Sequence, residues 1–82
     1  MIIAPKIHIN GTSQAELIRQ ISEANHALSL AIEALAAMSP NARDYYHTEN
    51  FTAARKEHDA RINAVIKVQN EIMEIGENIA DQ

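Results

Sequence analysis

Between residues 17 and 38, apolar side chains recur at alternating steps of four and three. The positions are Leu17, Ile21, Ala24, Leu28, Ala31, Leu35 and Met38. Because an α-helix turns once in about 3.6 residues, this spacing places the side chains along one seam of a helix. The repeat therefore predicts a long helix that packs against another helix.

This first helix has a start signal and a stop signal. Ser13 and Glu16 have capping-box spacing, in which the Ser13 hydroxyl accepts from the N–H of Glu16 and the Glu16 carboxylate accepts from the N–H of Ser13. Pro40 stops the helix because it lacks an N–H and clashes with the preceding turn. Together the signals predict a helix over about 13–38.

A second repeat runs through the C-terminal part of the chain. Counting in sevens from two starting points gives Phe51, His58, Val65, Ile72 and Ile79, and Ala54, Arg61, Val68 and Ile75. We expect a second helix over about 49–80, capped by Thr48 or Asn50. Its seam is polar near the start and apolar beyond it.

The 82 residues are expected to form one all-α domain, an antiparallel two-helix hairpin. An extended arm over 1–11, where isoleucines alternate with polar residues, precedes the first helix and would fit a short edge strand or a strap. A loop over 39–48 joins the helices. This loop is longer than most helix–helix connections, which favours a functional role.

Self-association is expected because the core of one hairpin is small. The chain has no cysteine, so neither disulfides nor a thiolate metal site can stabilise it. Five apolar residues beside the seams would lie partly exposed in a monomer: Ile18, Ile32, Ile62, Ile66 and Met73. Pairing of hairpins into an oligomeric helical bundle, a dimer or higher, would bury them. Gly76 either allows close approach between subunits or marks a frayed helix end.

Charge and hydropathy exclude several classes of protein. The formal net charge of −4 argues against a long nucleic acid as partner, because such binders need a basic face. The first residues are too short for a signal peptide, and no apolar run approaches the roughly 20 residues of a membrane span. We therefore expect a cytoplasmic protein that does not enter membranes.

The strongest candidate for a ligand site lies at the loop end of the hairpin. All three aromatic residues fall within a seven-residue window, and Phe51 belongs to the second seam. The candidate ligand-binding residues come from the loop and from the polar start of the second helix. The loop also holds Asn41 and His47. The candidates are Arg43, Asp44, Tyr45, Tyr46, Arg55, His58 and Arg61.

These residue types suit an anionic ligand that carries a ring, such as a nucleotide. Arginine offers a planar fork of donors to phosphate, and tyrosine offers a face on which a base stacks. Structural roles remain open for each residue. Arg61 can pair with Glu57 at i,i+4, the tyrosines can close the end of the bundle, and His58 can be a hydrogen-bonded polar residue of the core.

A second candidate is the turn before the first helix. Asn10, Gly11 and Thr12 place backbone N–H groups at a helix N-terminus, which favours an anion. The alternative is a simple helix cap. In an antiparallel hairpin this turn is far from the loop of its own chain, so it could complete a site only from another subunit.

No motif indicates catalysis, a metal or a cofactor. The four histidines do not combine at a metal-ligand spacing, and no serine or threonine lies in a nucleophile motif. We therefore expect a non-enzymatic protein without a metal site.

Three segments resemble a group of small proteins, mostly of phage origin. The shared motifs are N-G-T-S at Asn10–Ser13, P-N-x-R-D-Y-Y at Pro40–Tyr46, and E-H-x-x-R at Glu57–Arg61. In layout and size the chain is also similar to the helical-hairpin sponges with which phages sequester the cyclic-nucleotide signals of CBASS and Thoeris defences. This second likeness is an analogy of architecture, and it transfers no pocket residue to this sequence.

These observations lead to one main hypothesis and two alternatives. The main hypothesis is a phage counter-defence protein that sequesters a small nucleotide-like anion in the cytoplasm of an infected bacterial host. The first alternative is a protein-interaction module or inhibitor that docks a host or phage protein through the hairpin loop. The second is a purely structural phage component.

Overall fold

The computed structural model describes residues 2–46 and 49–82, which form two long antiparallel α-helices. Helix α1 spans Gln14–Ala37 and helix α2 spans Phe51–Ala80, with a 3-10 turn at Ala42–Tyr45 between them. No strand occurs within this described part. The predicted all-α hairpin is confirmed, and it is a rod 62 Å long.

Helix α1 begins with half of the expected capping box. The Ser13 hydroxyl accepts from the N–H of Glu16 at 3.1 Å, as predicted. The Glu16 carboxylate, however, accepts from the side chains of Arg19 and Gln20 one turn further on. These two hydrogen bonds lower the pKa of Glu16 to about 2. The same pairing raises the pKa of Arg19.

The two helices are in close contact near the start of α1 and the end of α2, which we call the arm end. Gly76 is buried there, and a Cβ at this position would lie 2.9 Å from Cγ2 of Ile21. Ile79 is 1% exposed, and its carbonyl accepts from Nε2 of Gln14 at 2.8 Å. The close approach that Gly76 permits is therefore within one hairpin, and α2 continues beyond it to Ala80.

The seam departs from the expected register at several positions. Four residues expected in it are exposed: Ala31, Met38, Arg61 and Val68. On α2, Ile62 and Gln69 are half-buried in place of Arg61 and Val68, each one position later than expected. The charged head of an arginine stays in water, so α2 turns Ile62 toward α1 instead of its neighbour. Met38 is exposed because α1 ends one residue earlier.

The arm is held by the last residue of the chain. The side-chain amide of Gln82 accepts from the N–H of Ile7 at 2.8 Å and donates to the carbonyl of Pro5 at 2.7 Å. The arm is thus a strap across the end of α2, which was one of the two expectations. Ile3 and Ile9 are almost fully exposed.

The loop turns through the 3-10 segment before α2 begins. Asn41 caps this segment, because its side-chain oxygen accepts from the N–H of Arg43 at 3.1 Å. Asn50 occupies the N-cap position of α2. Thr48, the other expected cap, and His47 lie outside the described residues. Within the described chain, neither helix is long and apolar enough to cross a membrane.

Candidate functional site

A pocket of about 500 Å³ opens where the loop leaves α1 and folds over the start of α2. Its volume is within the range of small-molecule sites. The lining includes Pro40, Asp44, Tyr45, Glu57, His58 and Arg61. Four of the residues predicted to bind a ligand therefore meet here, and we call this the loop-end pocket.

His58 forms the floor of the loop-end pocket and joins the two helices beneath it. It is 2% exposed, and its Nε2 lies 2.6 Å from the carbonyl oxygen of Leu35. A carbonyl oxygen only accepts, so Nε2 carries the proton and donates. Leu35 is in the last turn of α1, where its carbonyl also accepts from the N–H of Met38 at 3.2 Å, so His58 is a second donor to this oxygen. His58 is therefore buried and hydrogen-bonded between the two helices, which is the structural role left open for it by the sequence.

The two tyrosines of the loop have different surroundings. Tyr45 is half-buried on the pocket wall, and its ring centroid lies 6.1 Å from that of Phe51 with the rings tilted by 49°. Phe51 is half-buried in the first turn of α2 and supports the tyrosine ring. Tyr46 is 81% exposed and does not line the pocket. Only one tyrosine face is therefore held beside the cavity.

The three arginines of the predicted site do not converge. Arg61 lies on the pocket rim, with Nη2 3.5 Å from Oε2 of Glu57. This is the i,i+4 pair expected on structural grounds, and such an exposed pair contributes only a few tenths of a kcal/mol. Arg43 and Arg55 are exposed and lie outside the lining. Only Arg61 is placed to meet a ligand in the cavity.

The polar groups around the loop-end pocket are mixed in charge. Asp44 and Glu57 each contribute a carboxylate, and Arg61 contributes the guanidinium. Carboxylates accept hydrogen bonds from hydroxyl and amino groups, whereas the guanidinium donates to an anionic oxygen. The wall therefore suits a ligand that has several hydroxyl or amino donors and little negative charge.

The turn at Asn10, Gly11 and Thr12 lies at the other end of the hairpin. The N–H of Gly11 donates to the carbonyl of His8 at 3.1 Å, and α1 begins directly afterwards. The 24 residues of α1 span about 36 Å, so this turn does not reach the loop-end pocket of its own chain.

Several lining residues were not anticipated from the sequence. Met38 and Pro40 form part of the wall, and Glu57, expected to pair with Arg61, lines it as well. Pro40 marks where α1 stops, because a proline commonly follows the end of a helix that it cannot continue. That position was the available signal for where the wall would form.

The described residues contain no group of three or more side chains that could hold a metal ion. Comparison with known proteins adds no assignment, because no protein-family model, curated protein or solved structure matches the chain.

Proposed function

We propose that this protein binds a small nucleotide-type molecule in the loop-end pocket and performs no chemistry on it. The observation that supports the proposal most directly is the pocket itself. It brings a supported tyrosine ring, a guanidinium and two carboxylates to one cavity of about 500 Å³. That donor and acceptor set matches the parts of a nucleotide.

Each wall group would take one part of the ligand. The base would stack on Tyr45, and a phosphate oxygen would accept from Arg61 after this residue leaves its weak pair with Glu57. The carboxylates of Asp44 and Glu57 would accept from ribose hydroxyls or base amino groups. Because Nε2 of His58 is engaged with Leu35, a hydrogen bond from His58 to the ligand would use Nδ1.

The two carboxylates also favour one kind of nucleotide. A ligand with many unneutralised phosphates would meet repulsion from Asp44 and Glu57, because only Arg61 opposes them. Cyclic nucleotides and ADP-ribose derivatives carry few negative charges relative to their hydroxyl and amino groups. In a phage protein, binding of such an immune signal without catalysis would act as sequestration, as in the sponges that the hairpin resembles in layout.

Isothermal titration calorimetry with a panel of cyclic dinucleotides, cyclic trinucleotides and ADP-ribose derivatives tests this proposal. We expect one class to bind, and we expect Arg61→Ala and Tyr45→Ala to weaken binding at least tenfold with helicity unchanged. Arg55→Ala is the matched control, since this arginine is exposed on the same helix but outside the pocket. A folded sample that binds no member of the panel would contradict the proposal.

Docking of another protein is the second candidate function. It is favoured by Tyr46, a large side chain that is 81% exposed, and by Arg43, which is exposed three residues earlier in the chain. Tyrosine and arginine are enriched at the energetic centres of protein interfaces. In that case Tyr46→Ala would abolish capture of the partner from a lysate of infected host cells, while Tyr45→Ala would have the smaller effect.

A further inference from the structure

One hairpin leaves far more surface exposed than a compact chain of its mass. Its accessible surface is 6393 Å², whereas a compact protein of 9.1 kDa exposes about 4,900 Å². The difference, about 1,500 Å², exceeds the roughly 800 Å² that each partner covers in a standard protein interface. Among the described apolar residues only Ile79 is fully buried. An elongated rod exposes more surface than a compact chain, and this excess is larger than one partner's share of a standard dimer interface.

Part of the exposed apolar area lies in a groove between the helices, on the arm-end half of the rod. The groove has a volume of about 280 Å³ and is lined mainly by Ile18, Ile21, Met73, Gly76 and Ala80. Gly76 lies at its floor, where the backbone of α2 packs against Ile21. Met73 stands beside this hollow and is 45% exposed.

The apolar character of the groove continues along both helices. Residues seven apart share a helix face. On α1, Ile32 follows Ile18 at this interval through Asn25, and on α2, Ile66 precedes Met73. All of these except Met73 are half-buried, so one strip of the hairpin keeps partly exposed apolar side chains over about four turns of helix.

A polar cluster lies in the middle of this strip. Nε2 of Gln69 donates to Oγ of Ser29 at 2.8 Å and to the backbone carbonyl of Asn25 at 3.3 Å. The side-chain oxygen of Asn25 is buried and accepts no hydrogen bond from the described residues. One polar layer in an otherwise apolar helical interface is a common way to fix register and the number of chains.

We infer that this strip is a homodimer interface, in which two copies of the chain pack groove to groove as a four-helix bundle. The occupant is a second copy because the face complements itself. It presents a protruding side chain, Met73, next to a hollow over Gly76, so two copies related by a twofold axis fill each other's hollows. The polar cluster then lies at the centre of the interface.

The inferred dimer leaves the loop-end pocket open. On α2 the pocket is lined by Ala54, Glu57 and Arg61, on one side of the seam that includes His58. The groove is lined by Met73 and its neighbours on the other side. The interface and the ligand site thus share no lining residue and lie in different halves of the rod, so the inference stands independently of the proposed function.

Light scattering after size exclusion tests the dimer directly. We expect the protein to have about twice the 9.1 kDa mass of one chain, and Met73→Glu to reduce it to a monomer. Leu30→Glu is the control, because Leu30 is exposed on α1 and lies about 200° around the helix from Leu28 of the seam. This variant should remain dimeric. A monomeric protein at high concentration would overturn the inference, as would loss of the dimer only in Leu30→Glu.

Cross-linking covers the case in which Met73→Glu does not fold. The chain has no cysteine, so one introduced thiol reports on one position. Ser22→Cys lies in the groove and should give a cross-linked dimer with a short bismaleimide. Ser39→Cys lies in the loop-end pocket and should remain uncross-linked. Equal cross-linking of the two variants, or of neither, would contradict the proposed face.

Discussion

The two ends of the hairpin are built from the same seam but packed in opposite ways. At the arm end, Gly76 brings the backbone of α2 against Ile21. Ile79 is buried there, and its carbonyl accepts from the side chain of Gln14. At the loop end, the helices are joined through the His58 to Leu35 hydrogen bond, and a cavity opens above it. The arm end packs the backbone of one helix against an apolar side chain of the other beneath its open groove, whereas the loop end holds its geometry through a directional polar contact.

This difference shows how so small a rod can carry a binding site. A cavity removes apolar contacts from the chain that contains it, so the contacts must be supplied elsewhere. Here the arm end supplies the close packing, and the loop end uses a hydrogen bond that keeps the helices in place around an open space. The comparison predicts larger stability effects at the arm end than around the pocket.

The largest effect is expected for Ile79→Ala at the arm end. Ile79 is one residue from the end of α2, where helices usually fray, yet it is the most buried apolar side chain described. Removing its side chain should lower the free energy of unfolding by about 2–5 kcal/mol. Chemical denaturation at one fixed protein concentration measures this, since an oligomer's stability depends on concentration.

Val68→Ala is the matched control for that experiment. Val68 lies on the same helix but is exposed, so its truncation should cost well under about 1 kcal/mol. Equal losses in the two variants would show that the arm end is not the tightly packed end.

At the loop end, His58→Ala should destabilise the protein by about 2 kcal/mol. The change removes the donor to the Leu35 carbonyl and leaves a cavity under the pocket. His58→Gln keeps an N–H donor on a side chain of similar reach and should recover part of the loss. If the alanine and glutamine variants unfold at the same denaturant concentration, the hydrogen bond does not hold the loop end together.

The sequence predicts what depends on local periodicity and cap chemistry. Both helices, the Ser13 cap and the polar role of His58 follow from spacing and residue type. It did not predict that Gly76 would face Ile21, because that contact depends on how the two helices are aligned. The different roles of Tyr45 and Tyr46 likewise depend on how the loop folds back over α2, which neighbouring residues do not encode.

The two glycines of the chain provide a matched pair for the close approach. Gly76→Ala adds helix propensity worth about 1 kcal/mol, but its methyl group would lie 2.9 Å from a branched carbon of Ile21 that cannot swing away. We expect overpacking to dominate, with a net loss of about 1 kcal/mol in unfolding free energy.

Gly11→Ala should be nearly neutral, within about 0.5 kcal/mol. Its methyl group would meet the end of the His8 ring at 2.8 Å, and that exposed side chain can move aside. If Gly76→Ala instead raises the free energy of unfolding, the arm end has space for a methyl group. The arm end would then not be packed more closely than the loop end.

A gain of stability, also about 1 kcal/mol, is expected for Asn25→Leu. The substitution removes a buried acceptor that has no partner among the described residues and adds apolar area beside Ile18. Thermal unfolding gives the size of the change, and light scattering shows whether the loss of the polar residue broadens the distribution of oligomers. A loss of stability would indicate that the Asn25 oxygen is hydrogen-bonded in the assembled protein.

The smallest effect concerns Glu16, in the first turn of α1 at the arm end. Its pKa is lowered from 4.5 to about 2 by hydrogen bonds from Arg19 and Gln20, so the folded chain binds this proton more weakly than the unfolded chain. The contribution to stability is therefore present above pH 4.5 and disappears as the pH falls through that value toward about 2. Both side chains of the Glu16–Arg19 pair are largely exposed, so salt should screen the effect.

Carbon-detected NMR titration of the Glu16 carboxyl measures the midpoint directly. Arg19→Ala should move it back up toward 4.5, and an unchanged midpoint in that variant would remove the pair as the cause.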